Sequence, residues 1–402
     1  MHSSYESMIT AGVAKKFRQL EEDILTDVAR RMAKAKEITA SADWQLNRYK
    51  VLGNTTADIE DFVKKNVGDS FPETFEMYDR AVDQFYTRYK PLYEQVNQVF
   101  VPYEQNGELQ QLVTALVNQS NEELYNISRN TGFMVEMGGG RKVFTPLSEV
   151  YNGYLDQAIV NVASGAFDYN TMLRKVVRQM TDSGLRTVDY ASGHSNRVDV
   201  AARRALLTGL SQLAGQVTRD NARALGTDKY EVDWHPGARP SHAEWQGRVY
   251  SEEDLYDVCG LGEGDGLLGW NCRHTYYPFI DGISERNYSD EWLEEMAEEE
   301  ARRRTFRGKD YNAYEATQRQ RYLETNMRAQ RERVKMLRAG KADPDEILNA
   351  QCKYQAQLDE YKAFSAKMKL PEQRERIYAD LGGRIAPTQR QYHDWIANGG
   401  RT

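Results

Sequence analysis

The stretch from Ala11 to Ile38, AGVAKKFRQLEEDILTDVARRMAKAKEI, decides the class of the fold. Val13, Phe17, Leu20, Ile24, Val28 and Met32 recur at spacings of three and four, which draws one apolar stripe along a helix. The same period returns along most of the chain. Phe71-Pro72 opens an aromatic helix through Tyr78, Phe85, Tyr89 and Tyr93, in which Pro91 forces a kink or an early end. Another helix follows the Asn106-Gly107 break, over 108–128. Helical patterning resumes over 146–180, interrupted near Gly165, and again over 196–225 on Ala202, Leu206, Leu210, Leu213 and Val217, with Gly226 as its stop.

Two places break the period. Gly138-Gly139-Gly140 reads as the tip of a hairpin between Phe133-Met134-Val135 and Val143-Phe144; the spacing fails the phosphate-loop pattern. From Thr227 to Gly282 the chain changes to short strands and tight turns. Tyr230 to Trp234 alternates, Ser241 and Glu244 have capping-box spacing for a helix over 241–246, and Arg248-Val249-Tyr250 is strand-like. Glu252 to Val258 reads as a short helix, and Pro278 confines Thr275 to Phe279 to a sheet edge.

The last quarter is helical and charged. Asp290 to Arg307 places acids first and arginines last, which suits a helix dipole and predicts the pairs Glu298/Arg302, Glu299/Arg303 and Glu300/Arg304. Leu323, Met327, Gln330, Val334 and Leu337 line one seam; Ile347, Tyr354, Tyr361 and Met368 recur every seven residues on another. With Gly340 and Pro344 between them, the two predict an antiparallel helical hairpin. Leu381-Gly382-Gly383 reads as the helix stop and the tail from Arg384 as loosely held.

The expected architecture is mainly α with an embedded small α+β module. Its regions are 1–130 (helical), 131–226 (helical with the hairpin), 227–288 (the module) and 289–402 (charged helices and tail). The 402 residues suggest two or three structural units. No segment approaches the roughly 20 apolar residues of a membrane span, and the start lacks the regions of a signal peptide, which points to synthesis in a cytoplasm. Three cysteines make no disulfide framework. A net charge of -7 argues against a wholly basic nucleic-acid binder.

Candidate chemistry gathers in 235–274, which holds His235, His242, Cys259, Cys272 and His274. These are zinc-ligand types, but there is no CxxC and the spacing is poor, so no metal is expected. Cys272 beside Arg273 and His274 admits a thiol reading, with His274 on the same strand face as base. The plainer reading is a polar network that ties a loop-rich module together, with no catalytic residue and no cofactor. Arg319, Arg321, Arg328, Arg331, Arg333, Lys335 and Arg338 form a basic row, read as a solvated helix face before a DNA contact.

Three blocks resemble one family in order. The first is Asp189 to Ala205, DYASGHSNRVDVAARRA, with Asn196, Arg197, Asp199 and Arg203. The second is His235 to Gly247, HPGARPSHAEWQG, with His235, Gly237, Arg239, Pro240, His242, Trp245, Gln246 and Gly247. The third is Asn271 to Ser284, NCRHTYYPFIDGIS, with Asn271, Cys272, Arg273, His274 and Pro278. Together they resemble the phage minor capsid protein 2 family. The resemblance implies a structural minor head protein of a tailed phage, made in the host cytoplasm and carried in the head interior beside the portal. There it would aid head assembly, DNA packaging or ejection. Its implied partners are the portal and other head proteins, with a contact to packaged DNA as a further option, and neither a membrane nor a small-molecule substrate. The motif residues then serve as a polar skeleton or a partner contact. The rival classes are a metal- or thiol-dependent hydrolase or toxin-like enzyme centred on His242, Cys272 and His274, and a DNA-contacting internal virion protein.

Overall fold

The structure is a computed structural model that describes residues 2–36, 55–68, 71–136, 139–188, 193–269, 272–378 and 382–400. The helices in chain order are α1 (His2–Ala35), α2 (Thr55–Asn66), α3 (Pro72–Tyr86), α4 (Lys90–Gln95), α5 (Gly107–Arg129), α6 (Leu147–Glu149), α7 (Asp156–Ala163), α8 (Tyr169–Ser183), α9 (Val198–Ala224), α10 (Pro240–Ala243), α11 (Glu252–Asp257), α12 (Asp290–Ala301), α13 (Ala313–Ala339), α14 (Pro344–Met368), α15 (Arg374–Ile377) and α16 (Gln389–Ala397). The strands are β1 (Thr131–Glu136), β2 (Lys142–Pro146), β3 (Arg186–Val188), β4 (Ser195–Arg197), β5 (Lys229–Val232), β6 (Val249–Ser251), β7 (Tyr276–Phe279), β8 (Arg304–Phe306) and β9 (Lys309–Tyr311). The chain is mainly helical with an embedded α+β module, as its periodicity predicts. Among the described residues no helix is long and apolar enough to cross a membrane.

Two compact units form. One comprises Met1–Val13, Phe71–Leu124 and Ala202–Gln318; the other comprises Ala14–Ser70, Tyr125–Ala201 and Arg319–Thr402.

In the first unit, α3 stops at Tyr86, a single 3-10 turn covers Thr87–Tyr89, and α4 restarts with Pro91 in its first turn. A proline there removes only an N–H that has no intrahelical partner. Tyr78, Phe85, Tyr89 and Tyr93 are buried. Tyr78 Oη lies 2.8 Å from Ser120 Oγ, and Tyr89 Oη lies 2.8 Å from Thr218 Oγ1. The aromatic stripe therefore packs on α5 and α9 of its own unit.

The module sheet runs in the order β6-β5-β7, all antiparallel, with Pro278 on an edge strand as expected. Two expectations are corrected beside it. Pro240 takes the first position of α10, so Arg239 is its N-cap and Ser241 lies inside the helix, where it forms no capping box. The capping box belongs instead to Ser251 and Asp254 at the start of α11. The acidic helix is shorter than its charge pattern suggests. It ends at Ala301, Arg302 is extended (φ -60°, ψ 123°), and 304–311 form the β8-β9 hairpin. The turn residues Arg307 and Gly308 both have positive φ, 49° and 78°, the geometry that two-residue hairpins select. The three expected i,i+4 pairs give way to Arg302–Glu299 at 3.0 Å, Arg303–Glu315 at 2.9 Å and a Glu300 bond to the backbone of Gly237.

In the second unit, β1 and β2 pair from Gly132↔Pro146 to Glu136↔Lys142, and Gly139 and Gly140 lie in the turn of the expected hairpin; Gly138 lies outside the described residues. The sheet continues as β2-β1-β3-β4. Helices α13 and α14 form the predicted antiparallel hairpin. Gln320 Nε2 donates to Ser365 Oγ (3.0 Å), Tyr361 Oη to Glu324 Oε1 (3.1 Å) and Gln330 Nε2 to the Ala350 carbonyl (2.8 Å), so partners descend along α14 as α13 ascends. Helix α14 ends at Met368, with Lys369 left-handed at its cap (φ 58°), rather than at Leu381, which lies outside the described residues. The tail is held. Arg331 donates to the carbonyls of Gly382 (2.5 Å) and Gly383 (3.0 Å), Gln351 to that of Ile385 (2.6 Å), and Trp395 Nε1 to Asn349 Oδ1 (3.0 Å).

Candidate functional site

The module is built on a small apolar core of Tyr230, Val232, Trp245, Leu255, Cys259, Leu267 and Tyr276. Two segments bring the motif side chains over it. Helix α10 and the turn after it carry His242, Trp245 and Gln246; the extended run into β7 carries Cys272 and His274. The loop between them folds back tightly. A Cβ on Gly266 would lie 2.0 Å from the Gly260 carbonyl oxygen, so the close approach admits only glycine. That fold delivers the Asp265 carbonyl to His242 Nε2, 2.7 Å away.

His242, Cys272 and His274 converge, with ligand-type atoms all within 4.8 Å of one another. The two Nδ1 atoms are 3.3 Å apart, and Cys272 Sγ is 3.9 Å from that of His242 and 3.7 Å from that of His274. His274 Nε2 lies 2.9 Å from Gln246 Oε1, which also accepts from the His235 backbone N–H at 3.0 Å. The Trp245 ring packs against both imidazoles, with centroids 4.6 Å from His242 and 4.9 Å from His274.

Burial sets the electrostatics. Desolvation drives the His274 pKa down to about 2, helped by His235, His242 and Arg239, and burial lowers that of His242 as well. Burial pushes the Cys272 thiol up. Neutral imidazoles beside a thiol of raised pKa are not the ion pair of an activated nucleophile; they are a set of nitrogen and sulfur donors.

The remaining sequence candidates have other surroundings. Cys259 sits in the apolar core, its thiol pushed up to about 12 by burial. His235 stacks edge-on to His274 (5.0 Å) with Nε2 3.2 Å from Asp233 Oδ2. Gly237 donates to Glu300, Gly247 has φ 75°, Pro278 is buried and Arg273 is exposed. Asn271 and 189–192 lie outside the described residues.

The first block leads to a separate constellation in the second unit. Asn196 and Arg197 end β4 and Asp199 lies in the first turn of α9; Arg203, further along that helix, falls in the first unit. Arg197 grips Glu332 with two bonds, 2.7 and 3.0 Å, and lies 3.3 Å from Glu21. Arg328 bonds Asp199 (2.8 Å), Glu332 (3.0 Å) and Glu21. Arg18 closes the set on Asp199 at 3.1 Å. Three arginines thus neutralise three carboxylates. The basic row is corrected accordingly. Arg328 and Arg331 are buried, Arg319 meets Glu360, Arg333 meets Asp182 and Lys335 meets Glu22. Glu21, Arg328 and Glu332 join this constellation from outside the three motif blocks. The signal was there for Glu21, one turn from Phe17 and Ile24 on an otherwise apolar stripe.

Comparison with known proteins agrees with the three blocks. The family model described as phage minor capsid protein 2 matches residues 2–365. A protein of Lactococcus phage LL-H described as "Structural protein" is 22% identical over 267 residues, which cover 62% of this chain and 68% of that one. No solved structure matches. With the family model running through both the helical regions and the motif-bearing module, the chain belongs to the phage minor capsid protein 2 family.

Proposed function

We propose that this chain is a structural minor head protein of a tailed phage. In this reading it is made in the host cytoplasm and held inside the head beside the portal, where it aids head assembly, DNA packaging or ejection. The observation that carries the reading is the extent of the family match, 2–365, which takes in far more than one motif. The similar phage LL-H protein, described as structural, supports it. So does the way the polar motif residues are used. Arg197 and Asp199 are consumed in a neutral buried network, and His242, Cys272 and His274 lack the ion pair that a thiol nucleophile needs. The motif residues act as an internal skeleton, the chain is not an enzyme, and its partners are the portal and other head proteins. Contact with packaged DNA is secondary in this reading, because most of the basic row on α13 is already paired within the chain.

The test is co-expression with the portal protein of the same phage and capture through a tag on the portal. A complex of fixed stoichiometry is expected. Portal that comes down alone, from cells where both proteins are soluble, contradicts the reading. Duplex-DNA binding that weakens steeply with salt would instead favour the DNA-contacting class.

A further inference from the structure

We propose that His242, Cys272 and His274 bind one zinc ion through the two imidazole Nδ1 atoms and the Cys272 thiolate. The inference stands apart from the head-protein reading and does not rest on it.

The hydrogen bonds fix the tautomers. His242 Nε2 faces the Asp265 carbonyl at 2.7 Å, and a carbonyl can only accept, so Nε2 carries the proton. His274 Nε2 faces Gln246 Oε1 at 2.9 Å. The orientation of that amide is set by the His235 backbone N–H, which donates to the same oxygen at 3.0 Å. His274 Nε2 is therefore a donor as well. Both Nδ1 atoms are left with bare lone pairs, 3.3 Å apart in a buried setting. A Cys272 thiol proton can serve one of them and not both. A cation between them satisfies both at once.

The triangle has the size that zinc requires. Bond lengths of about 2.0–2.1 Å to nitrogen and 2.3 Å to sulfur, at tetrahedral angles, separate two nitrogens by about 3.3 Å and a sulfur from a nitrogen by about 3.6 Å. The observed separations are 3.3 Å for the nitrogens and 3.7 and 3.9 Å to sulfur. The Asp265 carbonyl and the Gln246 amide stand where the orienting partners of metal-bound imidazoles stand. Among the described residues no other His, Cys, Asp or Glu joins the group, so a water completes the tetrahedron. On binding, the Cys272 thiol releases its proton to solvent and nothing is oxidised or reduced. The ion would brace the glycine-rich loop and the run into β7 against α10.

The experiment uses the full chain. Elemental analysis after expression with zinc is expected to give about one zinc per chain. Cobalt(II) titration of the stripped chain is expected to give a near-ultraviolet thiolate-to-cobalt band that is absent from Cys272→Ser and retained in Cys352→Ser. Gln246→Ala is expected to weaken zinc binding about 10- to 100-fold, as loss of an orienting partner does. A folded wild-type chain that takes up neither zinc nor cobalt overturns the proposal, and so does a thiolate band that persists in Cys272→Ser. Should the variants fail to fold, the cobalt titration of the wild-type chain decides alone. None of these readouts involves the portal, so this proposal and the head-protein reading fail separately.

Discussion

Arg197 and Glu332, 135 residues apart in the chain, meet in a two-pronged ion pair, Nη1 to Oε1 at 2.7 Å and Nη2 to Oε2 at 3.0 Å. Both side chains are about nine-tenths buried. Removing one partner strands the other charge away from water, whereas removing both leaves Arg18 and Arg328 facing Glu21 and Asp199, still in balance. Arg197→Met alone is expected to destabilise the fold by ~3–5 kcal/mol, and Glu332→Met by a similar amount. The double variant should lose clearly less than the sum. Denaturant unfolding of the four proteins measures it; strict additivity would mean that the pair is not coupled.

Acid should act through Asp199. Burial alone would raise its pKa, but Arg328, with Arg18 and Arg197, holds it well below the usual carboxylate range. A folded value below the unfolded one gives stability that is present above about pH 3.9 and drains as pH falls below it, at about 1.4 kcal/mol per pH unit. Glu21 shifts upward, chiefly through burial, so it takes a proton in the native fold first and partly offsets the loss. Relative to wild type, Asp199→Asn should be less stable at pH 7, with the deficit narrowing below about pH 4. A deficit that stays constant from pH 7 to 3 would contradict the assignment.

Tyr78 and Gly209 are matched in the first unit. A Cβ on Gly209 would lie 1.8 Å from the Tyr78 hydroxyl oxygen and 3.1 Å from its Cζ. Gly209→Ala is expected to cost about 1–3 kcal/mol by overpacking. Tyr78→Phe deletes the clashing atom and leaves Ser120 without that partner, at about 1 kcal/mol. Combined, the two should cost less than their sum, because the second change makes room for the first. Thermal melts of the cycle decide; a sum or worse would mean that the hydroxyl is not what the methyl meets.

Arg331 should hold the C-terminal segment. It is 2% exposed, donates to the carbonyls of Gly382 and Gly383, and lies over the Tyr378 ring at 4.8 Å. Arg331→Ala is expected to speed amide hydrogen exchange over 382–400 at least tenfold, about 1.4 kcal/mol of local opening, while α8 keeps its protection. Unchanged exchange in the tail would show that Gln351 and Trp395 suffice to anchor it.

What the sequence disclosed, it disclosed through period. The α1 stripe, the α13–α14 seams and the glycine hairpin were legible because each is a local repeat or a local turn. The β8-β9 hairpin was hidden because Arg302 to Arg307 continue the charge logic of a helix, and only the two positive φ angles at Arg307 and Gly308 break it. The anchoring of the tail is not legible in the sequence because Arg331 looks there like one more solvated base. At the candidate site the residue types were visible but their grouping was not. Cys272 and His274 reach His242 through a loop whose reversal depends on backbone contact at Gly266, and no spacing rule reports that. The carboxylates that neutralise Arg197 and Arg328 come from distant segments, which periodicity cannot connect.

A structural protein carried within the phage head, as proposed for this chain, must be present in purified virions and shielded there. Quantitative mass spectrometry of purified virions, before and after protease treatment of intact particles, reads both. The expected result is a fixed copy number, with the chain protected in intact virions and digested once the heads are opened. Its absence from purified virions, or its digestion while the heads are still closed, would place the chain outside the head.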